Sequence, residues 1–92
     1  MLAIARAIMA PSRLLLIDEP ALGLAPSAIQ RVYQSLRLLK GRGVTILLVE
    51  ETISRIQGLA DRVYLISHGQ IVVEATPDRL LHDRRLISTY LG

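Results

Sequence analysis

The sequence predicts an α/β chain: a parallel βαβ core, then a β-hairpin and short helices. Three observations point there. LLLID and VTILLV are short apolar runs with the length of buried strands rather than helices. The stretch between them, SAIQRVYQSLRLLKGRG, has helical periodicity. SHG then separates two further apolar runs at hairpin spacing. A strand, a crossover helix and a second parallel strand connect with right-handed chirality.

Each element has its own justification. Residues 1–10, MLAIARAIMA, are rich in Ala, Leu and Ile, with no breaker before Pro11, which predicts a helix. No capping residue precedes Met1, so this helix either frays at the terminus or lacks its beginning. RLLLID, 13–18, is the first strand, and a loop runs from it through Pro26. In the next helix Ile29, Val32, Tyr33, Leu36 and Leu39 fall on one stripe, opposite Gln30, Arg31, Gln34, Arg37 and Lys40. Pro26 suits its first turn, and Gly41 and Gly43 supply the stop. VTILLV, 44–49, is the second strand, and ISRIQGLA, 53–60, a shorter helix turning Ile53, Ile56 and Leu59 inward. RVYLI, 62–66, and QIVVEA, 70–75, flank a turn at Ser67-His68-Gly69 with Gly69 left-handed. Thr76-Pro77-Asp78 reads as a cap with proline at the first helical position. Two short helical pieces, 77–82 and 84–91, finish the chain.

Composition narrows the class. The hydrophobic fraction is 51% and the aromatic fraction 3% over 92 residues, at most one small domain. That is more apolar surface than a free-standing domain of this size needs, and it implies a missing part or a partner. The net charge of +3 comes from 11 basic and 8 acidic residues. The arginines are scattered and no aromatics interleave with them, so they read as solvated helix faces rather than a nucleic-acid surface. The absence of cysteine excludes disulfides and thiolate metal sites. No apolar segment approaches the roughly 18 residues that span a bilayer, and no basic leader precedes the apolar N-terminus, so a cytosolic chain is expected.

The chemistry concentrates where LLLI runs into Asp18-Glu19. An acid at the carboxyl end of a buried parallel strand sits where α/β sheets bind ligands. Four apolar residues followed by Asp is the pattern of the strand carrying a metal-binding carboxylate in nucleotide hydrolases, and a hard oxygen ligand suits Mg²⁺. Side chains alternate along a strand, so the second acid points elsewhere and can polarise a water. Alternatively, both acids simply accept backbone N–H bonds at the strand end. Glu50 reads as a strand-end surface acid, His68 and His82 as solvated, Tyr33 as core, and Tyr64 and Tyr90 as packing residues.

These motifs, in this order, resemble those of ABC-transporter ATPase subunits over essentially the whole chain. LAIARAIMAPSRLLLIDEP is similar to the helix after the LSGGQ signature and the Walker B strand. PALGLAP resembles the D-loop of the branched-chain amino acid transport subfamily, and TILLVEE the strand leading to the switch, or H-loop, position. ADRVYLISHGQIVVEATPDRLL resembles the closing hairpin, and YLG is a typical ending. The resemblance implies a partial P-loop NTPase fold lacking the phosphate-loop strand, with residues 1–92 the C-terminal portion of the ATPase domain. It implies that Asp18 helps to hold Mg²⁺, that Glu19 is the catalytic base for the attacking water, and that ATP is the bound nucleotide. Ala21, Leu22, Gly23, Leu24 and Ala25 would face a second ATPase subunit, identical or not. Permease subunits would be direct partners, a substrate-binding protein an indirect one, and the location the cytoplasmic face of the inner membrane.

Two positions depart from the family pattern. Ala25 stands where many members carry aspartate, and Glu51 where a histidine commonly contacts the γ-phosphate. An ionised carboxylate about 4 Å from phosphate charge is repelled by roughly 4 kcal/mol per charge pair at an effective dielectric of about 20. Glu51 therefore stays protonated, turns away, or marks a weakened nucleotide site.

No GxxxxGK[ST] phosphate loop occurs in the sequence, and no LSGGQ. On the resemblance, this is a shortened ATPase gene or a start assigned to an internal methionine. The expected function is ATP hydrolysis driving uptake of branched-chain or other hydrophobic amino acids, with the 92 residues alone inactive. Without the phosphate-loop strand, two apolar strand edges stay unpaired, which implies poor stability or self-association. The competing reading is a non-enzymatic module that associates with an intact ATPase partner. A DNA-repair ATPase head of the same fold is a third, which the short tail and YLG ending disfavour.

Overall fold

The computed structural model describes residues 14–91, and side chains through Tyr90. The helix expected over 1–10, the Arg13 start of the first strand and the final Gly92 lie outside the described residues. The chain divides into two compact units, residues 1–51 and 52–92.

In the first unit, strand β1 (Leu14–Asp18) leads through a loop to helix α1 (Pro26–Gly41) and on to strand β2 (Thr45–Val49). β1 and β2 pair in parallel, with Leu14 opposite Thr45, Leu16 opposite Leu47 and Asp18 opposite Val49. This is the βαβ order expected. Helix α1 packs on β2 through its apolar stripe: Val32, Tyr33, Leu36 and Leu39 are all buried. Pro26 occupies the first helical turn. The helix ends where Gly43 turns left-handed at φ 89, with the Val44 N–H donating to the Leu39 carbonyl at 3.1 Å. Gly43 is thus the stop, while Gly41 belongs to the helix itself.

The strands are not buried on both faces, as their apolar runs led one to expect. Burial alternates along each. Leu15, Ile17, Ile46 and Leu48 are half-buried, whereas Leu14, Leu16, Leu47 and Val49 are 57%, 66%, 59% and 53% exposed. A parallel sheet ordinarily carries helices on both faces; in this two-stranded sheet one apolar face lies open.

In the second unit, helix α2 covers only Ile53–Ile56, shorter than the 53–60 expected. Gln57 is extended and Gly58 left-handed at φ 76, which breaks the helix before Leu59. Ile56 and Leu59 are buried nonetheless. Strands β3 (Val63–Ser67) and β4 (Gln70–Ala75) form an antiparallel hairpin. Its two-residue turn, His68-Gly69, has both residues left-handed (φ 51 and 76), as a type I′ turn requires. The register shifts between Leu65 and Ile66, so Val72 of β4 has no partner of its own, a β-bulge. Helix α3 (Pro77–His82) is capped as expected, the Thr76 hydroxyl accepting from the Arg79 N–H at 3.2 Å. The single helix expected over 84–91 is instead a short α4 (Arg84–Leu86), capped by Asp83, that widens into a π-helical turn, Ile87–Leu91. Among the described residues of this unit, Ile56, Leu59, Ala75, Pro77 and Leu80 are the buried apolar ones.

Candidate functional site

The site residues read from the sequence gather at the carboxyl ends of β1 and β2. Asp18, the last residue of β1, is exposed on the same face as Leu14 and Leu16. Glu19 follows in a left-handed conformation at φ 49 and is half-buried. Its N–H donates to the Val49 carbonyl at 2.8 Å, and its own carbonyl accepts from the Leu22 N–H at 3.2 Å. The two adjacent acids therefore stand in different surroundings, Asp18 exposed at the strand end and Glu19 half-buried at a left-handed turn. A non-glycine residue at positive φ is uncommon and costs of order 1–2 kcal/mol, so it marks a place where the surroundings over-determine the backbone.

Residues 21–25 form a tight loop. A second turn closes where the Leu24 N–H donates to the Ala21 carbonyl at 3.1 Å, and Gly23 is left-handed at φ 76. Ala21 is buried, Leu22 is 79% exposed, Gly23 and Ala25 are exposed and Leu24 is half-buried. Of the five residues assigned to a partner-facing loop, Leu22, Gly23 and Ala25 are presented to the outside, and Ala21 anchors the loop. Ala25 is also the N-cap of α1, with no side-chain hydrogen bond to the helix.

At the end of β2 the neighbouring acids diverge. Glu51 is exposed. Glu50 is half-buried, and its carboxylate accepts a hydrogen bond from the hydroxyl of Tyr33. Glu50 is therefore tied to helix α1, not a loose surface acid. The sequence alone does not disclose this pair, although a tyrosine on an aliphatic stripe is a usable signal: a buried phenol needs a polar partner.

Among the described residues no group of three or more His, Asp or Glu side chains is placed to hold a metal ion. Asp18 offers a single hard-oxygen position. That suits Mg²⁺, which keeps several waters and is commonly held by one or two carboxylates plus phosphate oxygens, and does not suit an all-protein metal cage. His68 and His82 are exposed and remote in sequence from these acids, as expected; each ring Nδ1 has a local contact, to the Ser67 hydroxyl at 3.0 Å and the Asp78 carbonyl at 2.8 Å. Tyr64 and Tyr90 are 50% and 40% exposed, so neither is the packed residue expected. No helix among the described residues is long and apolar enough to cross a membrane.

No protein-family model matches the chain. Among curated proteins, it is 45% identical over 92 residues to BraG, a high-affinity branched-chain amino acid transport ATP-binding protein of Pseudomonas aeruginosa, covering 100% of this chain and 40% of BraG. It is 32% identical over 92 residues to LivG of Escherichia coli, a protein of the same description, covering 99% and 36%. Among solved structures it is similar to MJ1267, an ATP-binding cassette of an ABC transporter in its ADP conformation, with a TM-score of 0.77 and 28% identity over 97% of this chain and 37% of that one. The chain thus spans about two-fifths of the length of the relatives it matches.

Proposed function

The chain corresponds to part of an ABC ATPase, and from that premise we propose that it carries the metal-binding and water-activating carboxylates of an ATP-hydrolysing transport subunit. The observation that carries this reading is the pair Asp18-Glu19 at the carboxyl end of a parallel strand, one acid exposed and the next half-buried at a left-handed turn. Asp18 is the ligand for Mg²⁺, an ion that neutralises phosphate charge when bound. Glu19 accepts the proton of the water that attacks the terminal phosphate, a task for a positioned carboxylate. The phosphate-binding loop is not among these 92 residues, so turnover belongs to an assembly that includes one.

The descriptions of BraG and LivG support branched-chain amino acids as the transported class. Leu22, Gly23 and Ala25, exposed on their loop, are the contact to a second ATPase subunit. Permease subunits are the membrane partners, and the cytoplasmic side of the membrane is the working location.

Replacing the aligned two-fifths of BraG with these 92 residues tests the reading. The graft should hydrolyse ATP, and Glu19→Gln within it should lower kcat by about 10²- to 10⁴-fold while ATP binding persists. Asp18→Asn should raise the Mg²⁺ concentration needed for half-maximal rate. Unchanged turnover in Glu19→Gln overturns the assignment.

The open face of the first sheet favours a second reading, in which the chain is a non-enzymatic module seated on an intact ATPase. Co-purification with such a subunit that survives Glu19→Gln would favour that reading.

A further inference from the structure

We propose that Tyr33 and Glu50 are positioning residues for Glu19, a bridge from helix α1 to the end of β2 that fixes the backbone to which the Glu19 amide is bonded. The proposal deepens the reading of Glu19 as the base for water.

Tyr33 is 3% exposed on an otherwise aliphatic helix stripe. A hydroxyl buried there must find an acceptor, and it finds the Glu50 carboxylate, 17 residues away in sequence. A charged acceptor makes this bond stronger than one between neutral groups. Glu50 is bonded directly to Val49, and the Val49 carbonyl accepts the Glu19 N–H at 2.8 Å. The path from Tyr33 to Glu19 is therefore one side-chain hydrogen bond, one peptide link and one backbone hydrogen bond.

The end of that path is the residue whose backbone needs support. Glu19 sits at φ 49, a conformation that a side chain as long as glutamate keeps only under constraint. Two backbone hydrogen bonds supply the constraint, one to Leu22 within its own turn and one to Val49 across the sheet. The second is only as firm as the end of β2. Beyond Val49 the strand stops, and the Tyr33–Glu50 bond holds the chain there against α1. The same bond commits Glu50 to the helix, leaving the water to Glu19.

Amide hydrogen exchange on the 92-residue chain tests the bridge. Tyr33→Phe keeps the ring and its packing and removes only the hydroxyl. It should accelerate exchange at Glu19 by about tenfold, the effect of losing one hydrogen bond to a charged group. Exchange at Val44, whose N–H donates to the Leu39 carbonyl at the C-terminal end of α1 at 3.1 Å, should not move. Glu50→Ala should reproduce the effect, and Glu50→Gln, whose amide oxygen still accepts from the phenol, should restore protection. In the BraG graft, Tyr33→Phe should lower kcat with the KM for ATP unchanged. Glu19 exchange that stays at the wild-type rate in Tyr33→Phe, or that rises together with Val44, overturns the proposal. Glu19→Gln in the graft judges the hydrolytic reading separately. If that variant keeps its turnover while Tyr33→Phe still loosens Glu19, the base assignment falls and the bridge stands.

Discussion

Ala25 occupies the N-cap of α1 with β-region backbone (φ −68, ψ 155) and nothing on its side chain to accept a helix N–H. Its backbone geometry already suits a capping residue, so Ala25→Asp should stabilise the chain by about 1 kcal/mol, partly by accepting an orphan N–H and partly by meeting the helix dipole. A rise in the urea midpoint at unchanged slope would show it; an unmoved midpoint would mean that the loop does not let the carboxylate reach. The same economy of side-chain contacts does not extend to Tyr33, which adds a long-range polar bond to its packing. At this scale the sequence discloses residue types and their order but not their backbone angles. Asp18-Glu19 at a strand end was legible from LLLIDE, whereas the left-handed turn at Glu19 was not, because no glycine or asparagine announces it. The Tyr33–Glu50 bond was hidden for a different reason: its partners lie on separate elements and meet only after folding.

At the scale of elements, α1 shows how one residue type acquires two values. Leu36 is fully buried on the stripe, and Leu38, two residues on, is 49% exposed. Leu36→Ala should cost about 2–5 kcal/mol because it empties packed space, and Leu38→Ala less than about 1 kcal/mol. Equal losses in chemical denaturation would contradict the packing described. Periodicity alone makes this helix legible, since a turn of about 3.6 residues sorts buried from exposed positions whatever the helix packs against. The hairpin was legible through His68-Gly69 and the third helix through Thr76-Pro77. Boundaries set by local backbone choices were harder. Helix α2 stops at Ile56 because Gln57 extends and Gly58 turns left-handed, although Leu59 continues the apolar spacing. The turn at 87–91 kept helical character but widened, a change that composition does not signal.

For the molecule as a whole, the decisive property is the face of the first sheet that displays Leu14, Leu16, Leu47 and Val49. The apolar strand runs predicted burial on both sides, whereas the structure leaves one side exposed; the relatives that match this chain are more than twice its length. An exposed sheet of this kind, with no proline or lysine in either strand, favours association. Sedimentation velocity should find the 92-residue chain associating with rising concentration, and Leu16→Lys with Leu47→Lys should shift it toward monomer. A monodisperse wild-type monomer across the range would contradict this.

The backbone at Glu19 bears on how such a chain would drift. Glycine adopts φ near 49 without the steric cost that glutamate bears. A library sorted for folding alone, with no demand for catalysis, should therefore exchange Glu19 for glycine or asparagine early. The carboxylate is then lost to the same selection that improves the fold. On the proposed role of Glu19, stability and chemistry compete at that one residue, and a display experiment that enriches Glu19 variants would measure the competition directly.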